Sequence, residues 1–65
     1  MPTGKPKTSA DYGMYAANKI DEFTDYDKAR AWWDSDEERD MRDNLEVPIK
    51  TRTLLANKID DKFLN

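Results

Sequence analysis

The densest chemistry in this chain is a run of carboxylates, Asp34-Ser35-Asp36-Glu37-Glu38-Arg39-Asp40, followed by Asp43 and Glu46. Asp34, Asp36 and Glu38 stand at the alternate spacing with which a calcium loop opens. Such a loop needs glycine at its sixth position and a bidentate acid at its twelfth; Arg39 and Leu45 stand there instead. Calcium coordination of that kind is excluded. The chain has no histidine and no cysteine, which removes the usual general base, the thiol nucleophile and the commonest zinc ligands. Ser9 and Ser35 fall where helix caps are expected, and there is no glycine-rich phosphate loop. A chain of 65 residues also rarely encloses a pocket of several hundred Å3. These features argue against an enzyme, and no metal or cofactor is expected.

What the carboxylates can do is attract. Residues 34–46 carry seven acids against Arg39 and Arg42, within a net charge of −3, and the flanking segments are neutral or mildly basic. The bland expectation for such a stretch is a solvated helix face. The functional one is a rigid acidic surface that imitates DNA phosphates and occupies a basic groove on a larger protein. In size and composition the chain resembles small acidic phage proteins that inhibit host defence systems. That resemblance implies non-catalytic binding and inhibition of a protein with a basic patch, such as a nucleic-acid enzyme. The candidate contacts are Asp34, Asp36, Glu37, Asp40 and Asp43, with Trp33 and Tyr15 as apolar anchors. Adjacent helical residues point about 100° apart, so Trp32 and Trp33 cannot share one core position. Tyr26, Ala29 and the cap at Ser35 favour Trp32 pointing inward and Trp33 outward.

An alternative lies further along. Lys50, Thr51 and Arg52 follow a break at Glu46-Val47-Pro48, as the second helix of a helix-turn-helix would. Asn57 and Lys58 would extend that DNA surface, and Lys5 and Lys7 would form a basic arm. The acidity of the preceding helix opposes direct nucleic-acid binding. A third expectation is a structural or self-assembling component, since a second copy can complete the core of so small a domain.

The elements that must position these residues are helices. No segment alternates with a period of two, so the expected fold is all-α: a compact bundle of three to four short helices over residues 8–65, behind a flexible arm at 1–7. Thr8-x-x-Asp11, Thr24-x-x-Asp27 and Ser35-x-x-Glu38 are each spaced as capping boxes. The first helix is expected from Ser9 to Phe23, with Tyr12, Ala16, Ile20 and Phe23 as its inner stripe; Gly13 inside it suggests a close helix crossing. The second, Asp25 to Asp34, presents Tyr26, Ala29 and one tryptophan. The third, Asp36 to Leu45, has only Met41 and Leu45 as apolar contacts and should be wet over most of its surface. Pro48 is expected to end it and to open a fourth helix, Pro48 to Phe63, with Leu55 or Ala56, Ile59 and Phe63 inward. Ala-Asn-Lys-Ile-Asp occurs at 17–21 and again at 56–60, so the first and last helices should share an Ala/Ile/Phe stripe. An antiparallel pairing of the two would give approximate internal symmetry. The longest apolar run, Leu54 to Ala56, cannot span a membrane, and a cytoplasmic location is expected.

Overall fold

A computed structural model describes residues 5–64 as four helices, and no strand occurs among these described residues. The order is α1 (Ser9–Glu22), α2 (Tyr26–Asp34), α3 (Asp36–Asn44) and α4 (Ile49–Leu64). The all-α bundle read from the sequence is the observed one. Residues 1–4 of the expected arm lie outside the described residues. Pro6 does pack: it is half-buried, and with Lys5 it lines a groove beside α3.

Local chemistry fixes each helix start. The Thr8 side chain accepts from the Asp11 amide at 3.1 Å, satisfying one of the free N–H groups at the α1 terminus. At α2 the cap is Asp25 and not Thr24; its carboxylate accepts from the Asp27 amide at 2.8 Å. A charged acceptor beside the positive end of the helix dipole outcompetes the hydroxyl one residue earlier. Ser35 serves two helices. Its hydroxyl donates to the Trp32 carbonyl at 2.8 Å, ending α2, and accepts from the Glu38 amide at 3.3 Å, opening α3.

The end of α3 is set by Glu46 and not by Pro48. Glu46 takes a positive φ of 54°. Its amide donates to the Asp43 carbonyl at 3.1 Å, while the Val47 amide reaches the Arg42 carbonyl at 3.0 Å. That pair of bonds is the Schellman arrangement, and it satisfies carbonyls that have no partner within the helix. It also turns Val47 into the core, where it is 3% exposed.

Helix α4 packs against α1 and α2, and α2 packs against α3. Tyr12, Ala16 and Ile20 of α1, Ala29 and Trp33 of α2, Val47, and Leu55 and Ile59 of α4 form one buried cluster, with Phe23 and Phe63 packed at its edge. The two copies of the repeat play matching parts, since Ile20 and Ile59 are each completely buried. The antiparallel pairing does not occur. Contacts advance in the same sense along both helices, from Gly13 beside Thr51 to Asp21 beside Lys58. Farther on, the Lys62 ammonium donates to the carbonyls of Ile20, Asp21 and Phe23 at 3.0, 2.7 and 2.6 Å. Helices α1 and α4 are therefore parallel neighbours, and α2 and α3 are the crossover that such a pair requires. The space at Gly13 is ordinary: a Cβ there would meet the Thr51 methyl at 3.9 Å, so no close crossing demands glycine.

Candidate functional site

The expectation that α3 holds on by Met41 and Leu45 alone is incomplete. Its most buried residues are charged: Glu38 is 3% and Arg42 5% exposed. Spaced four apart, they share one helix face, and both meet the same tyrosine. The Tyr12 hydroxyl donates to Glu38 Oε1 at 3.1 Å and accepts from the Arg42 guanidinium at 3.2 Å. The Tyr15 hydroxyl donates to the other oxygen, Glu38 Oε2, at 3.4 Å. Arg42 also donates to the Trp33 carbonyl at 2.8 Å and lies 3.9 Å from the centroid of the Trp33 ring. The Glu38 side chain thus reaches across to α1 and does not fold back onto its own cap.

Burial, the largest cause, pushes the Tyr12 phenol up to about 12; the Arg42 hydrogen bond opposes this and the Glu38 charge adds to it. Burial likewise raises Tyr15, again with help from Glu38. The Trp32 indole N–H sits beside the Tyr15 hydroxyl and opposes that rise, yet it is buried with no acceptor in hydrogen-bonding geometry.

This network decides the orientation of the tryptophans, and it reverses the sequence expectation. Trp33 is 7% exposed, held on the Ala29 face of α2 beneath the Arg42 guanidinium. Trp32 is half-buried, with its ring 5.6 Å from Phe23. Ser35 bonds the backbone of Trp32 and so places no constraint on its indole. Trp33 is therefore not a free anchor, and Tyr15 is half-buried and committed to Glu38.

The acids fare differently. Asp34, Asp36, Glu37, Asp40 and Asp43 are all exposed. Asp34 pairs with Arg30 at 3.6 Å and Asp43 with Arg52 at 3.1 Å. No ion pair among the described residues engages Asp36, Glu37 or Asp40. Glu38 and Arg42 face inward, so Asp36, Asp40 and Asp43 point outward by the helical period. No group of three acids among the described residues converges to hold a metal ion. Beside Glu37 and Asp40 lies a groove of about 370 Å3, with Met41 and Leu45 in its lining and Lys5 and Pro6 against it. An aliphatic stem under a cationic head suits such a mixed surface, and the chain's own Lys5 is there.

The residues of the helix-turn-helix alternative differ in what they touch. Lys50 and Asn57 are exposed, whereas Thr51 is half-buried near Gly13 of α1. Lys58 pairs with Asp21 at 3.3 Å. Arg52 is a structural clasp: it donates to the Val47 carbonyl at 2.8 Å, to the Arg42 carbonyl at 3.1 Å and to Asp43. Lys50, Thr51, Asn57 and Lys58 fall within about a third of the α4 circumference, and Arg52 lies apart from them.

The chain matches no protein-family model, no curated protein and no solved structure. No helix among the described residues is long and apolar enough to cross a membrane.

Proposed function

We propose that the protein is a non-catalytic binding module that regulates or inhibits a larger protein through the outward face of α3. What supports this is the display of Asp36, Glu37 and Asp40, which no ion pair among the described residues engages, on a helix locked from behind by Glu38 and Arg42. Charge fixed on a rigid helix attracts an oppositely charged patch over roughly 8 Å at physiological salt and raises the association rate, and a partner's cation would displace Lys5 from the groove. The partner is a protein with a basic patch, of the kind carried by nucleic-acid enzymes. Its lysine or arginine heads meet Glu37 and Asp40 while their stems lie along Met41 and Leu45. Asp34 and Asp43 flank this face and are already paired, so they contribute less.

The test is affinity capture from a bacterial lysate, with and without nuclease, comparing the wild type with an Asp36→Lys, Asp40→Lys variant. Both positions are exposed, and the helical circular dichroism of the variant checks that the fold survives a cation in the first turn of α3. A stoichiometric protein retained through nuclease by the wild type and lost by the variant supports the proposal. Its association rate should then fall by about tenfold or more as salt is raised. Identical retention by both proteins removes the acidic face from the mechanism, and recovery of nucleic acid alone overturns the proposal.

A further inference from the structure

Arg42 is an anomaly in this core. A buried charge is normally paired, yet no carboxylate of the described residues lies within ion-pairing distance of it. Its hydrogen-bond partners, the Tyr12 hydroxyl and the Trp33 carbonyl, are neutral. Those bonds use one N–H on each terminal nitrogen of the guanidinium, and no Arg42 nitrogen is buried without a partner, so its remaining donors face the groove side. The same side chain lines a groove of about 360 Å3, together with Arg39, Arg52, Trp33, Ile49 and Ala56. Arg39 is exposed and has no ion pair among the described residues. Asp43, the acid in this lining, is already held by Arg52. A protein of net charge −3 thus carries a cationic groove, and its rim includes Ile49, which is 74% exposed.

We propose that this groove binds a carboxylate presented next to an apolar side chain, as in an acidic–apolar segment of a partner protein. The carboxylate meets Arg39 at the rim, whose exposed fork offers planar, two-pronged hydrogen bonding, with the positive charge of Arg42 behind it. The neighbouring apolar side chain covers Ile49 and the exposed edge of Trp33. An extended polyanion such as nucleic acid is disfavoured, because Asp43 in the lining and Asp36 and Asp40 on the adjoining face of α3 repel it. A short peptide segment carries its one negative charge past them and has the apolar surface the walls require. The inference goes beyond the acidic-face proposal and does not depend on it.

The experiment is an NMR titration of isotope-labelled protein with acetyl-Leu-Glu-Leu-amide. The comparators are acetyl-Leu-Gln-Leu-amide, inorganic phosphate and oligothymidylate. The glutamate peptide should shift the Ile49 methyls, the Trp33 indole N–H and the Arg39 Nε–H. The glutamine peptide should bind at least about tenfold more weakly. Arg39→Gln should weaken the glutamate peptide to a similar degree without moving amide signals outside the groove, and Ile49→Ala should weaken both peptides. The Asp36→Lys, Asp40→Lys protein should bind at least as well as wild type, which separates this site from the acidic face. Equal binding of the two peptides, or shifts that avoid Ile49 and Arg39, overturns the proposal. So does tighter binding of phosphate or oligothymidylate. Shifts at these residues on concentrating the protein alone would make the occupant a second copy, overturning it as well.

Discussion

The two sides of this small core are closed by opposite means. Where α1 meets α4, completely buried Ile20 and Ile59 from the two repeat copies are backed by Ala16, and only the rim is polar, through Lys58–Asp21 and Lys62. Where α3 meets α1, the contact is a carboxylate, a guanidinium and two phenols. The apolar side gains from removing surface from water, at about 25 cal/mol per Å2, and tolerates imperfect geometry. The polar side holds only while each member keeps its partner, because an unsatisfied buried group costs its full desolvation. One side is forgiving and the other is conditional.

The sharpest way to break this contrast is to remove one member of the polar side. Arg42→Ala leaves the Tyr12 hydroxyl and the Trp33 carbonyl without their donor, opens a cavity and uncovers Trp33, so it should cost about 3–5 kcal/mol. Replacing the set with apolar groups of similar size, as in Tyr12→Phe, Glu38→Leu, Arg42→Met, should recover most of that loss, since buried ionic groups are often no more stabilising than well-packed hydrocarbon. Urea unfolding followed by tryptophan fluorescence measures both. If the triple variant is as unstable as the single one, packing is what Arg42 supplies, and the two sides do not differ in kind.

The same contrast explains what the sequence reveals. Tyr12, Ala16 and Ile20 are legible because apolar residues at helical spacing have one cheap place to go, and the Ile of each repeat copy follows the same logic. Caps at Thr8 and Ser35 are legible for a similar reason: a hydroxyl beside free amides is a local event. Glu38 and Arg42 are not, because the periodicity that finds a core counts apolar residues and passes over charged ones. The available clue is that Tyr12 and Tyr15 bring two hydroxyls to one face of α1 and need acceptors. Trp33 was obscured in turn, because its burial is settled by Arg42 from another helix. The exposed acids of α3 are legible from composition, whereas Arg52 reads as a free basic residue and is a clasp.

Alkaline pH probes the polar side without mutation. Tyr12 is raised to about 12 in the fold and Tyr15 is raised as well, while an unfolded tyrosine titrates near 10. Between pH 10 and 12 the unfolded chain loses a proton that the folded one keeps. The stability linked to these phenols is therefore complete below about pH 10 and falls as pH rises toward 12. The slope is at most about 1.4 kcal/mol per pH unit for each phenol. Tyr12→Phe should flatten this fall relative to wild type, measured by urea midpoints across the range. An unchanged slope in Tyr12→Phe would assign the effect to other groups.

On the apolar side the conditional element is Lys62, whose ammonium closes the C-terminus of α1 across the helix pair. Lys62→Met keeps the stem and removes three charge-assisted bonds at the negative end of a helix dipole. The expected loss is about 1–2 kcal/mol, because the freed carbonyls can turn to water. Hydrogen exchange should show it first at the last turn of α1, with α3 unaffected.

The smallest expected effect has the opposite sign. Gly13 sits mid-helix in α1 with open space for a methyl group, since a Cβ would touch only the Thr51 side chain at van der Waals distance. Gly13→Ala restricts the unfolded chain and adds a modest contact between α1 and α4, so it should stabilise by about 1 kcal/mol. The gain is local to the α1 backbone and its contact with Thr51, and no side-chain atom of Tyr15, Glu38 or Arg42 lies within 4 Å of the added methyl. The Gly13→Ala gain should therefore persist undiminished in the Tyr12→Phe, Glu38→Leu, Arg42→Met background, where the polar side has been made apolar. Loss of the gain in that background would show that Gly13 is coupled to the network and that α1 transmits between the two sides.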